Sequence, residues 1–274
     1  MQEIVQQLLA FKGAVVAVWI ALFFLAERLA PAAETEPKGR ARLQRLARNA
    51  SFFVLNMALS LAVVIPVSAW AAATAPEWRA SLAPWWDGWH GLALDLLLLD
   101  FLIYWWHRAN HEIPFLWRFH EVHHLDEHLD TTSAVRFHFG EVFLSAAARA
   151  CFILAFDIPL ASVLVFEAMV LLAAIFHHSN LKLPSGPERA LSTVIITPSL
   201  HWVHHHKVRR DTDSTYGTAF SFWDRLFGTT SATRRWATMP IGVEGRREQP
   251  IAQLLLRPFR RGRDLDAPGA RSAG

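Results

Sequence analysis

The sequence predicts an all-α integral membrane protein, in which four to five apolar helices form a membrane stem and a histidine-rich part lies at one membrane face. Hydrophobic residues make up 53% of the 274 residues, and the mean hydropathy is +0.21. This is too apolar for an ordinary water-soluble domain. Long apolar runs recur along the chain, and all 14 histidines lie between His90 and His206. No linker or internal repeat divides the chain, so we expect one domain over residues 1–274.

Three apolar runs in the first half of the chain are the predicted first spans. They cover residues 13–30, 51–73 and 91–106. Each comes close to the ~20 residues that cross a ~30 Å hydrocarbon layer at ~1.5 Å per residue. Pro66 lies inside the second run. Because proline removes a helical hydrogen bond, we expect a kink at this position.

Residues 142–176 form two further apolar runs, separated only by Asp157, Ile158 and Pro159. So short a connection implies a helical hairpin that enters and leaves on one side of the membrane. The first arm has about fifteen residues, which is marginal for a full crossing. A re-entrant hairpin and a spanning hairpin therefore both remain open.

Positive charge sets the predicted orientation. Residues 38–48 carry five cationic side chains, whereas residues 74–90 carry one. Because short basic loops stay in the cytoplasm, we place residues 38–48 there. Following the spans from that point puts residues 107–140 and 177–248 on the cytoplasmic side as well, where they form the predicted catalytic part. We expect the membrane to be the inner membrane of a bacterium.

The remaining basic residues also indicate a membrane. Residues 249–274 begin by mixing leucines with arginines, which predicts a basic helix on the membrane surface followed by a tail. The formal net charge is +3 and the isoelectric point about 9.4. The cations lie beside apolar segments, so attraction to anionic lipid headgroups explains them better than a nucleic-acid partner does.

Three histidine clusters carry the functional prediction. Residues at positions i, i+3 and i+4 of a helix share one face, so each cluster can direct its imidazoles at a common point. One HxxxH pair alone is weak support, but two HxxHH groups on the same predicted side indicate a metal centre. The clusters are His107 with His111, His120 with His123 and His124, and His201 with His204 and His205.

Four residues outside the clusters are further candidates. His138 and His178 lie at the ends of the predicted hairpin and are possible ligands, although His138 has helix capping as an alternative. Asp100 lies within the third span, where a carboxylate needs a partner. Asp100 and Glu141 could each orient a ligand imidazole through its distal N–H, with His138 as the partner expected for Glu141. A purely structural hydrogen bond is the alternative for both.

The number of histidines predicts two metal ions. Eight to ten imidazoles exceed the four ligands with which a zinc site closes. All-nitrogen ligation suits iron, zinc, copper or nickel, so the ligand type alone does not choose the metal. Cys151 is the only cysteine in the sequence. The chain therefore lacks the thiolates of an iron–sulfur cluster.

The motifs and their order resemble the fatty acid hydroxylase/sterol desaturase superfamily of membrane di-iron enzymes. The resemblance covers roughly residues 100–229, about half of the chain. At two positions, Leu125 and Thr215, members of the superfamily often carry Ser and Asn, which leaves the subfamily open. The similar segments are Asp100–His111, Leu116–His124, Arg136–Glu141, Pro198–His205 and Tyr216–Thr229.

The resemblance implies a helical stem with a cytosolic cap that holds two iron ions, with zinc possible in a purified sample. It also implies O2-dependent hydroxylation or desaturation of a C–H bond in a sterol, acyl chain, ether lipid or carotenoid. Electrons would come from a separate ferredoxin-like or cytochrome b5-like protein. The residues that would act through the metals are His107, His111, His120, His123, His124, His201, His204 and His205, with His138 and His178 as further ligands and Asp100 and Glu141 as their hydrogen-bonding partners.

Two functions of other classes compete with this prediction. A metal transporter needs polar groups along its spans near the midplane, whereas these clusters lie at the ends of the spans. A zinc hydrolase needs an activated water and a nearby general base, and the chain has no HExxH motif, although His120-Glu121 begins like one. Hydrolysis proceeds without O2, so an anaerobic assay separates the hydrolase from the oxygenase.

Overall fold

A computed structural model describes residues 2–33 and 37–260. Over these ranges the chain is built from helices, joined by loops that make three isolated β-bridges. The predicted all-α class is therefore confirmed. The helices are α1 Gln2–Leu29, α2 Gly39–Leu59, α3 Ile65–Thr74, α4 Gly88–Glu112, α5 Pro114–His124, α6 Phe139–Phe156, α7 Leu160–His178, α8 Ser185–Leu191, α9 Pro198–His204, α10 Arg209–Thr212, α11 Phe222–Leu226 and α12 Ile251–Leu256.

Five stretches among the described residues are long and apolar enough to cross a membrane. They are Ala10–Leu29, Gly39–Thr74 and the helices α4, α6 and α7. The protein is accordingly an integral membrane protein. The two arms of the hairpin, α6 and α7, have 18 and 19 residues. At ~1.5 Å per residue each is ~27 Å long or more, close to the ~30 Å thickness of the hydrocarbon layer.

The second apolar stretch is one continuous helix of 36 residues rather than a loop followed by a span. A π-helical turn, Ser60–Val64, joins α2 to α3 directly before Pro66. Since proline has no N–H to donate, a wider turn at this point absorbs the break in the hydrogen-bond ladder. Four of the five basic residues that the charge pattern assigns to a loop therefore lie in the first half of α2, and Lys38 directly precedes it.

The apolar core of the stem lies between α3, α4, α6 and α7, where Leu99, Ile153, Val163 and Phe166 pack together. At the turn between α6 and α7, Arg79 donates to the backbone oxygen of Asp157 at 2.8 Å and forms an ion pair with Asp95. Ser162 of α7 donates to the same Asp95 carboxylate at 2.6 Å. Asp95, which lies within the third span together with Asp100, is thus paired, as its position in an apolar layer requires.

A buried ionic network fixes the segment that follows α5. Arg45 of α2 donates to both carboxylate oxygens of Asp126, at 2.7 and 2.8 Å, and to Asp130 at 2.6 and 3.0 Å. Burial alone would raise the pKa of Asp130, but the Arg45 guanidinium holds it below its ordinary value. Glu27 of α1 accepts from the backbone N–H of Thr131 and of Asn180, both at 3.0 Å. The network ties α1 and α2 to the segments that follow α5 and α7.

The last described segment packs against α5. Leu254 of α12 is fully buried in a cluster with Phe52, Val122 and Leu125. Arg257 is also buried and donates to Glu121 at 2.7 Å, whereas Phe259 is exposed. The predicted tail beyond residue 260 lies outside the described residues.

Candidate metal centre

Nine histidines form two groups, and in each group the candidate ligand nitrogens all lie within 4.8 Å of one another. All nine are buried except His107, which is half-buried. The first group is His107, His111, His120, His124 and His204, and the second is His123, His178, His201 and His205.

Helix α4 carries the first group beyond the apolar part of the third span. It continues without a break to Glu112, so His107 and His111 share one face. Helix α5 follows after one residue, with Pro114 in its first turn. Its His120 and His124, also four residues apart, face the first group, while His123 belongs to the second group.

Helix α9 repeats this division in the opposite sense. Its His201 and His205 contribute to the second group, while His204 contributes to the first. His178, at the end of α7, completes the second group. Each HxxHH motif therefore serves both groups.

Hydrogen bonds at Nδ1 fix the orientation of most of these imidazoles. A backbone carbonyl oxygen can only accept, so an Nδ1 beside one carries the proton, and Nε2 keeps its lone pair for a metal. Four bonds of this kind join His107 to Tyr216 at 2.8 Å, His123 to Arg136 at 3.1 Å, His178 to Ala174 at 2.8 Å and His204 to Ser214 at 2.7 Å. Carboxylates take the same role for His120, 2.7 Å from Glu141, and for His111, 3.3 Å from Asp213.

The Nε2 atoms, on the other side of these rings, point towards one another and have no carbonyl or carboxylate oxygen of the described chain beside them. In the second group Nε2 of His178 lies 3.1 Å from Nε2 of His123 and 3.0 Å from Nε2 of His201. In the first group, no residue of the described ranges pairs with the buried Nε2 atoms of His111 and His204. A buried polar atom without a partner is costly, and a cation among these lone pairs would satisfy them. The donor set therefore fits metal ions.

The electrostatic environment keeps these ligands neutral. Burial lowers the pKa of His204 to about 3. Burial, followed by the proximity of other imidazoles, also lowers the pKa values of His123, His124, His201 and His205 well below their ordinary range. Neutral imidazole is the form that binds a metal, so the site does not have to lose protons from these five residues near neutral pH.

A cavity of about 270 Å³ connects the histidines to the interior of the stem. His107, His120, His123, His178 and His201 lie in its wall at the metal end. From there it continues between α4, α6 and α7 along mostly apolar side chains. These include Ile103, Trp106, Val142, Ala146, Phe166, Val170 and Leu171.

Comparison with known proteins identifies the family. Residues 92–229 match the model of the fatty acid hydroxylase family. The chain belongs to this family. The matched segment contains both histidine groups, and it agrees with the resemblance inferred from the sequence motifs.

Several characterised relatives are similar to the chain over this region. Ornithine lipid hydroxylase OlsE of Rhizobium tropici is 31% identical over 180 residues, which is 65% of this chain and 54% of the relative. Human alkylglycerol monooxygenase is 32% identical over 156 residues, 57% of this chain and 34% of the relative. Fatty acid hydroxylase vlmA of a Lecanicillium species is 28% identical over 180 residues, 60% and 48% of the two chains. The chain thus spans about half or less of the relatives' length. No solved structure matches it.

Three of the predicted site residues have contacts other than those expected. His138 lies in neither histidine group, because its Nδ1 accepts from Gly140 N–H at 2.9 Å and its Nε2 lies 3.0 Å from Leu255 O. It caps the N-terminus of α6, which was the alternative to metal ligation. Glu141 consequently faces His120 instead of His138. Asp100 accepts from Trp223 Nε1 at 2.9 Å and from the N–H groups of residues 219 and 220, and so holds the segment before α11 rather than a ligand.

Sequence reasoning missed two residues beside the site. Asp213 lies against His111 Nδ1 and accepts from Arg209 at 2.6 Å. His177 lies in the cavity wall, with its ring 4.0 Å from that of His201. Its position next to His178 was the available signal, but two adjacent helical residues point in directions too different for spacing alone to place both.

Proposed function

We propose that the protein is a membrane-bound di-iron oxygenase that hydroxylates, or desaturates, a C–H bond of a lipid with O2 and external electrons. The observation that carries the proposal is the cavity. It has two groups of imidazole nitrogens at one end and an apolar passage between membrane-spanning helices at the other. This arrangement suits a hydrocarbon substrate that reaches a metal centre from the bilayer.

The two ions would be held by the two histidine groups. His107, His111, His120, His124 and His204 would hold one ion, and His123, His178, His201 and His205 the other. When bound, the iron pair supplies the capacity to activate O2 and to abstract hydrogen from carbon. Zinc binds the same ligand type and could occupy the site in a purified sample.

The chain itself positions the imidazoles and excludes water from the site. The carbonyl and carboxylate partners at Nδ1 hold the imidazoles in one orientation. The apolar side chains along the passage keep water away from the reacting carbon, which protects a reactive centre from side reactions. In a family of cofactor-dependent enzymes, the protein's role is this positioning, while the bond chemistry belongs to the metals.

The relatives support a lipid as the substrate. One of them is named for hydroxylation of ornithine lipid and another is an alkylglycerol monooxygenase. Both names refer to lipids, and the cavity of this chain lies between helices that are long and apolar enough to cross a membrane, which supports a lipid substrate. We infer a sterol, fatty acyl, ether lipid or carotenoid substrate.

The proposed setting is the inner membrane of a bacterium, with the histidine groups on the cytoplasmic side. The five cationic residues at 38–48 support this orientation, because positive residues flanking spans are retained in the cytoplasm. A soluble ferredoxin-like or cytochrome b5-like protein in that compartment would deliver the electrons.

Lipid analysis of a host strain tests the proposal. The lipids of cells that express the wild-type chain are compared by mass spectrometry with those of His123→Ala and His204→Ala cells, one variant from each group. We expect a product with one added oxygen or two fewer hydrogens only in the wild type and only in air, together with loss of iron from both variants. An unchanged product under anaerobic conditions would instead support a hydrolase. Metal-driven ion flux in liposomes without O2 consumption would support a transporter.

A further inference from the structure

A charged cluster lies in the cavity wall far from the histidines. Arg149 of α6 forms a hydrogen-bonded ion pair with Glu167 of α7, and both side chains line the cavity. Lys12 of α1 lies 3.8 Å from the same Glu167 carboxylate. All three residues belong to membrane-spanning stretches. A charged residue at such a position costs ~2.5–3.5 kcal/mol or more and usually has a function.

Two independent helices give the same depth for this cluster. On α6, Arg149 follows Glu141, the partner of His120, by eight residues, or ~12 Å at ~1.5 Å per residue. On α7, Glu167 precedes the candidate ligand His178 by eleven residues, or ~16 Å. The ion pair therefore lies roughly 12–16 Å from the metal end, near the middle of a ~30 Å hydrocarbon layer.

The alternative, that the pair only joins α6 to α7, is weaker. The structure contains another buried ion pair, Arg79 with Asp95, in which Asp95 lies in a membrane-spanning stretch and the side chains are only 9% and 3% exposed. The Arg149 and Glu167 side chains are 20% and 14% exposed, and they face the cavity. Arg149 also borders a second, smaller cavity next to α4. Helices α6 and α7 are already joined by a short turn and a shared apolar core.

The cluster has hydrogen-bonding capacity beyond its own ion pair. A guanidinium carries five N–H donors, and a carboxylate offers about four acceptor positions. Arg149 donates to Glu167 through Nη1, which leaves the guanidinium further N–H donors, and the residue lines the cavity. A group that can both accept and donate, such as a hydroxyl, matches this pair. Because an ion would have to leave water and cross the apolar layer, a neutral group reaches the cluster at much lower cost.

The cavity also limits the shape of the ligand. About 270 Å³ lies just below the ~300–1,000 Å³ typical of small-molecule sites. This is room for one extended chain, not for a whole lipid with two chains. The chain would run from the histidines to the cluster along the apolar side chains of α4, α6 and α7.

We propose that Arg149 and Glu167 form a binding site for a hydroxyl group within the substrate chain, about 12–16 Å along the helices from the histidine end of the cavity. This deepens the proposed function and rests on it for the identity of the reacting end. The substrate class is then a single oxygenated hydrocarbon chain, and the distance between the cluster and the metals selects which carbon reacts.

Binding to the purified full-length chain in lipid nanodiscs tests the site without turnover. The probes are radiolabelled fatty acids of one chain length, either unsubstituted or carrying one hydroxyl at different positions, measured by equilibrium dialysis. We expect the hydroxyl at one position to tighten binding by about 10- to 100-fold, the range for a hydrogen bond to a charged group. Arg149→Met and Glu167→Gln should each remove this preference while leaving binding of the unsubstituted chain within about threefold of wild type.

Arg79→Met is the matched control, because it breaks a buried ion pair of the stem that lines neither of these two cavities. It should keep the preference for the hydroxyl position even if it lowers thermal stability. Equal binding of all probes by the wild type, or an unchanged preference in Arg149→Met, would overturn the site. A preserved preference without any O2-dependent product would retain the site and refute the oxygenase. O2-dependent product formation with no hydroxyl preference in binding would refute the site and retain the oxygenase.

Discussion

Glu141→Ala is the change that best tests the link between the stem and the metal centre. The Glu141 carboxylate lies 2.7 Å from His120 Nδ1, and the residue is only 6% exposed. It holds the imidazole in the tautomer that directs Nε2 at the first histidine group. In the alanine variant, His120 keeps its place on α5 but loses this partner. The ring is then free to turn or to take the other tautomer.

The expected size follows from the chemistry of ligand orientation. Removing a hydrogen-bonding partner of a metal-bound histidine typically weakens metal binding by ~10- to 100-fold, or about 1.4–2.8 kcal/mol. We expect a loss in the upper part of this range for Glu141→Ala, because the contact between Glu141 and His120 is short and buried and solvent does not screen it. Competition with a chelator of known affinity, followed by elemental analysis, measures the loss. We expect one ion to be released at lower chelator concentration while the second group keeps its ion.

Glu121→Gln is the control for this experiment. Glu121 is the residue next to His120 and is equally buried, but its carboxylate pairs with Arg257 at 2.7 Å and not with a candidate ligand. The variant should lower thermal stability and leave metal affinity unchanged. Wild-type affinity in Glu141→Ala, or an equal loss in Glu121→Gln, would refute the assignment of Glu141 as a positioning residue.

Three further outcomes follow from single contacts. Arg45→Met leaves Asp126 and Asp130 buried without their cation and should cost about 3–5 kcal/mol in thermal unfolding. Because the folded-state pKa of Asp130 lies below the ordinary ~3.9, its contribution is present above about pH 4, so the difference from wild type should shrink in acid. Gly217→Ala should lower the melting temperature, because its Cβ would meet Phe220 O at 2.6 Å, whereas Gly186→Ala meets nothing within 4 Å and should not. Asp213→Asn should weaken chelator-resistant metal binding by less than about tenfold, since the contact with His111 is 3.3 Å long and Asp213 is a third exposed.

The fold class followed from the sequence because its signals are local. Long apolar runs leave few options for a chain in lipid, where every backbone polar group must be paired within a helix. The start of the second helix could not be placed in the same way. The basic residues before the apolar run suggested a loop, yet Arg45 is buried against Asp126 and Asp130, more than eighty residues away in the chain. A tertiary ion network, which hydropathy does not report, makes this segment helical.

The contacts of the site show the same limit. Helical spacing brought pairs of histidines to one face, and this required no knowledge of the rest of the fold. The expected pair of His138 and Glu141 does not form, because of the backbone at the start of α6. There Gly140 N–H donates to His138 Nδ1, and Glu141 contacts His120 instead. The role of Asp100 depends on the segment before α11, more than a hundred residues later. For such a side chain the sequence offers several chemically reasonable hydrogen-bond partners far away in the chain. Only the packing of the fold selects one of them.

The two HxxHH motifs join the two histidine groups into one unit. In each motif the histidines at i and i+4 lie on one helical face, and the histidine at i+3 is displaced around the axis by about 60° at 3.6 residues per turn. On α5 the pair faces the first group, and on α9 it faces the second, so each helix sends its third histidine to the neighbouring group. The rings of His124 and His205 consequently stack across the two groups, with centroids 4.2 Å apart. Any shift of α5 relative to α9 would disturb both positions together, so a variant that loosens this contact should lose both ions in one cooperative step rather than one after the other.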